Sequence, residues 1–188
     1  MTRFLTTLLA GGLACAACAD TLPEPWQGQR DAGFEMMMQV CDGDTAALAM
    51  FRSLLATDPV AQNNAAWVAD NCALFDAPGA ELAALQLRAA EAGYPIAQAN
   101  YANRLLGAED DGLAVDPVAA VMWLERAIAG GYGVAAFRYG MLLVEGTLVP
   151  RDLGKARDML RIARAEQAEL PLLEQLEAAL AGAAGTGD

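Results

Sequence analysis

The chain has 188 residues, a length that suits one domain, and 55% of them are hydrophobic but only 6% aromatic, which favours closely packed helices rich in alanine. Its formal net charge of −12 disfavours a nucleic-acid partner, because the long-range field repels phosphates. The chain contains no histidine, one serine (Ser53) and one lysine (Lys155), which excludes Ser–His and Cys–His nucleophilic sites within it.

The first nineteen residues have the pattern of a secretory signal peptide. An early cation, Arg3, is followed by an apolar stretch and then by small residues. Ala17-Cys18-Ala19 predicts cleavage before Asp20. The alternative is a bacterial lipoprotein signal, in which Cys18, or Cys15, becomes a lipid-modified N-terminus. We therefore expect an exported protein that is periplasmic or secreted, or else a lipoprotein held at the membrane only by that lipid.

After the signal, the sequence predicts an extended N-terminal arm over residues 20–30 and a degenerate helical-repeat region over 31–96. Export leaves Cys41 and Cys72 in the mature chain, and two cysteines in an oxidising compartment predict one disulfide. The alternative is a pair of buried thiols that never meet. Apolar spacing and helix-start residues predict helices at 31–41, 44–56, 61–75, 80–92, 96–107, 117–129, 134–145, 152–168 and 170–183.

The middle of the chain repeats itself. Residues 89–94 return at 127–132, a shift of 38, and Tyr101 returns as Tyr139 at the same shift. Farther on the shift is 36, since Asp116 returns as Asp152. The two-residue difference falls in the acidic loop between the helices of the first copy, where insertions cost little. A period of this length, with two helical patterns in each unit, indicates an α-solenoid.

These residues resemble the Sel1-like repeat, a relative of the tetratricopeptide repeat, over residues 97–169. The second copy matches the pattern of that family at Ala135, Phe137, Gly140, Leu142, Gly146, Val149, Asp152, Lys155 and Ala156. The first copy matches at Ala97, Gln98, Asn100, Ala102, Gly112, Asp116, Ala120 and Trp123. The resemblance implies an all-α fold, a right-handed superhelix of helix-turn-helix repeats, which residues 170–188 would end as a capping helix and a disordered tail.

A dinucleotide-binding pattern, G-x-G-x-x-A, also occurs from Gly131 to Ala136. That motif requires a strand before its glycines. Helical spacing with Pro117 in the first turn stands there instead, so the glycines are interpreted as a turn between two helices.

The resemblance implies a non-enzymatic scaffold in the cell envelope that binds a protein or peptide partner, with no cofactor and no metal. By analogy with tetratricopeptide registers, the first helix of each pair would line the binding surface. The candidate contact residues are Asn63, Trp67, Asn71, Asn103, Phe137 and Met141. Two other functions stay open: a small envelope hydrolase that uses paired carboxylates, and a purely structural lipoprotein.

Overall fold

The computed structural model describes residues 22–107 and 113–185, and within these ranges the regular structure is helical. The helices are α1 (Trp26–Cys41), α2 (Thr45–Leu54), α3 (Pro59–Asn71), α4 (Gly79–Glu91), α5 (Pro95–Leu105), α6 (Pro117–Ala129), α7 (Gly133–Glu145), α8 (Leu153–Ala165) and α9 (Leu170–Gly185). The predicted signal peptide with Cys18 lies outside the described residues, as do most of the acidic loop and residues 186–188. No helix in the described part of the chain has the length and apolar character needed to span a membrane.

Aspartate side chains start four of the helices. A side-chain oxygen of Asp44, Asp58, Asp116 or Asp152 accepts a backbone N–H from the first turn of α2, α3, α6 or α8. These carboxylates accept hydrogen bonds from backbone N–H groups that have no partner inside the helix. Their negative charge also interacts favourably with the positive end of the helix dipole. Proline at the first helical position adds a fixed φ in α3, α5 and α6.

The helices stack as pairs. Each helix packs against the next one along the chain from α3 to α9, and α1 packs against α2. The odd-numbered helices also contact one another along the stack, α1 with α3, α3 with α5 and α7 with the terminal α9. The fold is therefore a helical solenoid in which the odd-numbered helices lie on one side of the stack.

Alanine occupies the helix crossings of this solenoid. Ala97 and Ala135, which the repeat aligns, are both fully buried in one core cluster, as is Ala127. Trp123 and Met159 occupy the same position in α6 and α8, and both are buried in that cluster as well. Both side chains fill the core, and the two copies of the hairpin have like surroundings.

Two glutamines join successive pairs. Gln62 is the fourth residue of α3 and Gln98 the fourth of α5. Their Nε2 atoms donate to the carbonyls of Leu55 and Ala90, each at 3.1 Å, at the C-terminal end of the preceding helix. A helix end leaves such carbonyls without internal partners, so each glutamine satisfies a buried acceptor and fixes the angle between pairs.

The prediction of an extended arm over residues 20–30 was wrong in its second half, because α1 begins at Trp26. The Trp26 ring packs on Tyr94 with centroids 5.3 Å apart. Leu22 is buried, and its N–H donates to Gln27 Oε1 at 2.9 Å. The segment folds because these side chains find an apolar surface on the repeats. The last helix, predicted at 170–183, ends two residues later, at Gly185, and the rest of the predicted tail lies outside the described residues.

The glycine motif follows helix α6, with Gly131 and Tyr132 in the turn between two helices and residues 133–136 in the first part of α7. Gly131 has a φ of +80°, and a Cβ built on it would stand 3.1 Å from Pro23 Cδ. Gly93, its counterpart one repeat earlier, has a φ of +92° and no atom within 4 Å of that position. Both turns therefore require glycine because the backbone φ is positive. At Gly131 the lack of a side chain also lets the N-terminal segment approach closely.

We expect Gly131→Ala to destabilise the fold more than Gly93→Ala. Both substitutions force an L-residue into the left-handed region, which costs about 1–2 kcal/mol, and only Gly131→Ala also displaces Pro23. Chemical denaturation of the two variants measures the difference. Equal losses of stability would show that residues 22–26 contribute nothing to the packing of this turn.

A disulfide joins Cys41 to Cys72, whose Cα atoms are 4.5 Å apart and whose sequence separation is 31. It links the last residue of α1 to the residue that follows α3. It therefore attaches the N-terminal pair of helices to the rest of the stack.

Removing this bond with Cys41→Ala and Cys72→Ala together should lower the free energy of unfolding by about 3–4 kcal/mol, because the unfolded chain gains loop entropy. Denaturation of the oxidised protein and of the double variant measures this loss. A reductant should destabilise the wild type and leave the double variant unchanged. If the wild type does not respond to reductant, the two cysteines are free thiols in the purified protein.

Candidate functional site

The candidate site is a surface that we call the inner face. It consists of the solvent-facing residues of the odd-numbered helices. Three of its residues are equivalent, because Trp67, Asn103 and Met141 are each the ninth residue of α3, α5 and α7. Trp67 is 43% exposed, whereas Asn103 and Met141 are half-buried. One turn of α3 farther on, the exposed Asn71 donates from Nδ2 to the Trp67 carbonyl at 2.8 Å.

The inner face continues onto α1 through Phe34 and Met38, which are 56% and 40% exposed. On the other side of α1, Ala32 and Met36 line a small cavity together with Phe51 of α2. Phe34 stands two residues from each of them, so helical geometry turns it to the opposite side of α1, away from α2. The N-terminal half of the inner face is thus apolar and exposed.

A polar chain crosses the inner face between the helices. Arg138 Nη1 donates to Asn100 Oδ1 at 3.2 Å, and Asn100 Nδ2 donates to Asn63 Oδ1 at 3.1 Å. Asn63 Nδ2 then donates to Asn64 Oδ1 at 3.1 Å. These amides and the guanidinium tie α7 to α5 and α5 to α3, and they place oriented dipoles beside the ninth-position residues.

On the other side of the stack, Lys155 of α8 lies between two layers. Its Nζ donates to Tyr139 Oη at 2.6 Å and to Glu125 Oε1 at 3.3 Å, and stands 4.6 Å from the centroid of the Tyr139 ring. The hydrogen bond to Tyr139 raises the pKa of Lys155 above its usual value, against the opposing effect of burial. A lysine held protonated in this way is a fixed cation and does not act as a base.

Tyr94, in the turn before α5, is almost fully buried. Burial raises the pKa of its phenol well above the usual value, and Asp31, Asp58 and Tyr132 act in the same direction. The nearby Arg30 lowers that pKa only in part. The Tyr94 side chain is consequently a neutral core group that packs against the N-terminal segment.

Comparison with known proteins identifies the repeats. The Sel1 repeat model matches residues 95–132 and 133–166. The chain carries two Sel1 repeats. The predicted repeat region, 97–169, differs from the matched one by two residues at its start and three at its end.

The solved structures give the same result for the fold. A Sel1 repeat protein from Oxalobacter formigenes superposes with a TM-score of 0.58 at 25% identity, over 70% of this chain and 97% of that one. A protective antigen of uropathogenic Escherichia coli strains that displays an SLR fold gives a TM-score of 0.55 at 19% identity, over 85% of this chain but only 38% of the antigen. No curated protein matches the sequence. Sel1 repeats typically serve as scaffolds for protein–protein interaction and are generally not catalytic.

The predicted contact residues differ in exposure, and only Asn103, Phe137 and Met141 lie within the two matched repeats. Trp67 and Asn71 are exposed, and Asn103 is half-buried at the centre of the inner face. Phe137 and Met141 are half-buried because they also pack against the core.

The prediction was wrong for Asn63, which is 8% exposed and holds α3 to α5 through its amide. Its Oδ1 accepts from Asn100 Nδ2, so the Asn63 side chain points toward α5.

Sequence reasoning missed the polar chain through Asn64, Asn100 and Arg138. Each is the sixth residue of its helix. Asn100 is 36 residues after Asn64, and Arg138 is 38 residues after Asn100. In α3 and in α5, a glutamine stands two residues before the asparagine. This repeated pair is the sequence signal that aligns the two helices and identifies the sixth position.

The hydrolase alternative requires two carboxylates in a dry pocket. Glu24 and Glu166 line a cavity of about 480 Å³ beside the turn at Gly131. Both side chains are exposed to solvent, whereas a catalytic acid is kept protonated by apolar surroundings. Within the described residues no three potential metal ligands converge on one point. The geometry therefore gives the hydrolase alternative no support.

We expect the stability of the protein to fall as the pH rises through about 10, where the unfolded forms of Tyr94 and Lys155 begin to lose their protons. Both groups have raised pKa values in the folded state, so the folded chain binds more protons than the unfolded chain above that pH. The stabilisation is complete below the unfolded pKa values and is lost above them. Thermal melts between about pH 9 and pH 11 measure the slope.

Tyr94→Phe should flatten this alkaline slope, because the variant has no phenol to ionise on unfolding. A variant with the same slope as the wild type would show that Tyr94 ionises equally in the folded and unfolded chains.

Proposed function

We propose that this chain is a non-enzymatic scaffold of the cell envelope that holds a peptide or protein partner along the inner face. The observation that supports it most is Trp67, an indole with 43% of its surface exposed at the repeat position that Asn103 and Met141 share. A large exposed aromatic side chain lowers the solubility of a protein. Such residues are characteristic of binding sites.

The inner face offers such a partner two kinds of contact. Phe34, Met38 and Trp67 provide exposed apolar surface on α1 and α3. Asn100 and Arg138 provide amide and guanidinium groups on α5 and α7, already oriented by their mutual hydrogen bond. Oriented side chains lose little conformational entropy on binding, which favours affinity for an extended chain laid across the helices.

The net charge of −12 restricts the partner. An acidic chain repels partners of the same sign at long range and attracts basic ones, with an effect on association rate that salt screens. We therefore favour a neutral or basic protein partner over an acidic one.

Export rests on the signal pattern of residues 1–19 and agrees with a chain that joins Cys41 to Cys72. The described part begins at Leu22, which is already packed on the repeats. Mass spectrometry of the mature N-terminus distinguishes a free Asp20 from a lipid on Cys18. A lipid there, together with no partner, would favour a purely structural lipoprotein.

The proposal predicts that Trp67→Ala weakens binding of the partner by roughly 30-fold, the effect of losing about 2 kcal/mol at a binding hot spot. The partner is first identified by cross-linking and co-purification from the native envelope, and its affinity is then measured with purified proteins. Met122→Ala is the matched control, because Met122 is also 43% exposed but lies on the even-numbered α6.

Thermal melts of both variants should match the wild type. Equal affinities for the wild type and Trp67→Ala would exclude the inner face as the binding surface. A loss of binding in Met122→Ala alone would move the site to the other side of the stack.

A further inference from the structure

An open apolar groove lies where the two Sel1 repeats meet, and its lining includes none of the ninth-position residues of the inner face. It has a volume of about 410 Å³, within the range of ligand-binding clefts. Its apolar lining comes from three elements: Val118 and Val121 of α6, Leu143 of α7, and Leu148 and Val149 of the loop that precedes α8. Val118 is 82% exposed, and Leu148 is exposed as well.

The fold does not require the most exposed part of this apolar surface. The repeat shift of 36 aligns Val118, Val121 and Met122 of α6 with Gly154, Arg157 and Asp158 of α8. Those three α8 positions face solvent. A helix in this place is therefore stable without apolar residues at them. The same backbone positions are thus polar in one layer and apolar in the next. Val121 also packs against the core, but the exposed Val118 and Met122 are not needed to stack the pairs.

Two cations stand at the groove, Lys155 and Arg151. The Lys155 ammonium is fixed over the Tyr139 ring, and among the described residues Tyr139 and Glu125 accept two of its three N–H donors. Arg151 donates from Nη2 to the Ala183 carbonyl at 2.9 Å, which anchors a guanidinium with further donors. In a chain of net charge −12, this groove combines apolar walls with positive groups.

Asp152 also lines the groove, but its Oδ1 accepts the Lys155 backbone N–H at 2.9 Å as the N-cap of α8. Its charge is therefore directed toward the positive end of that helix. Lys155 is paired with Glu125, so Arg151 is the cation of the lining that a bound anion would meet first, with the Lys155 ammonium beside it.

We propose that this groove binds the C-terminal end of a partner polypeptide, with an aliphatic side chain against Val118 and Leu148 and the terminal carboxylate beside Lys155 and Arg151. Charge complementarity selects the carboxylate, and the apolar walls select the aliphatic residue. The open shape favours a peptide over a long acyl chain, which needs an enclosed tunnel to hide its length from water.

The test uses the full mature chain and two synthetic probes, acetyl-Gly-Leu-Val with a free carboxylate and the same peptide as its C-terminal amide. Binding is followed by NMR of the valine and leucine methyl groups at peptide concentrations up to about 1 mM. The acid should bind and shift Val118 and Leu148, and the amide should bind about tenfold more weakly.

Variants locate the site. Val118→Ser and Arg151→Gln should each weaken the acid about tenfold, whereas Leu170→Ser, which removes another exposed aliphatic residue on α9, should leave it unchanged. Trp67→Ala should also leave it unchanged, which separates this groove from the inner face.

Four results would overturn the proposal. Equal binding of acid and amide would exclude carboxylate recognition. Unchanged affinity in Val118→Ser, or no binding at the highest concentration, would exclude the groove. Displacement of the peptide by a lower concentration of decanoate would identify an acyl chain as the occupant.

Discussion

The whole architecture depends on how closely the helices approach one another, and alanine sets that distance. A single helical hairpin cannot bury its own apolar face, so each pair is stable only when it packs on a neighbour. Alanines without any exposed surface occur in all the central helices: Ala65, Ala89, Ala97, Ala120, Ala127, Ala135, Ala156 and Ala163. A larger side chain at any of these crossings would push the pairs apart and open voids in both adjoining layers.

Close packing alone leaves neighbouring pairs free to slide, because methyl groups offer little directionality. Hydrogen bonds at defined atoms remove that freedom. Gln62 and Gln98 bind the ends of the preceding helices, and the Asn63–Asn100–Arg138 chain connects three layers. Because a buried polar group is costly without its partner, each of these bonds penalises any other register. The same polar chain that aligns the layers also orients the surface of the inner face.

The fold was predictable from the sequence because its signals are local and repeated. The shifts of 38 and 36, the aspartate caps and the prolines each indicate the same hairpin, and the alanines at the crossings follow from it. Asn63 was mispredicted because a helical period says which residues share a face but not which neighbouring helix that face meets. The helical start at Trp26 was missed for a similar reason, since it depends on the Tyr94 ring, which is remote in sequence.

The surfaces follow a different rule from the core. Positions at the helix crossings must be small in every layer, so the repeat conserves them within the chain, whereas solvent-facing positions are free to differ between layers. The ninth position is Trp67 in one layer and Asn103 in the next, and the outer position is Val118 in α6 but Gly154 in α8. Exposed apolar side chains gain nothing from stacking and lower solubility. Where one layer departs from its neighbour toward an apolar residue in solvent, the stability of the solenoid does not explain that residue.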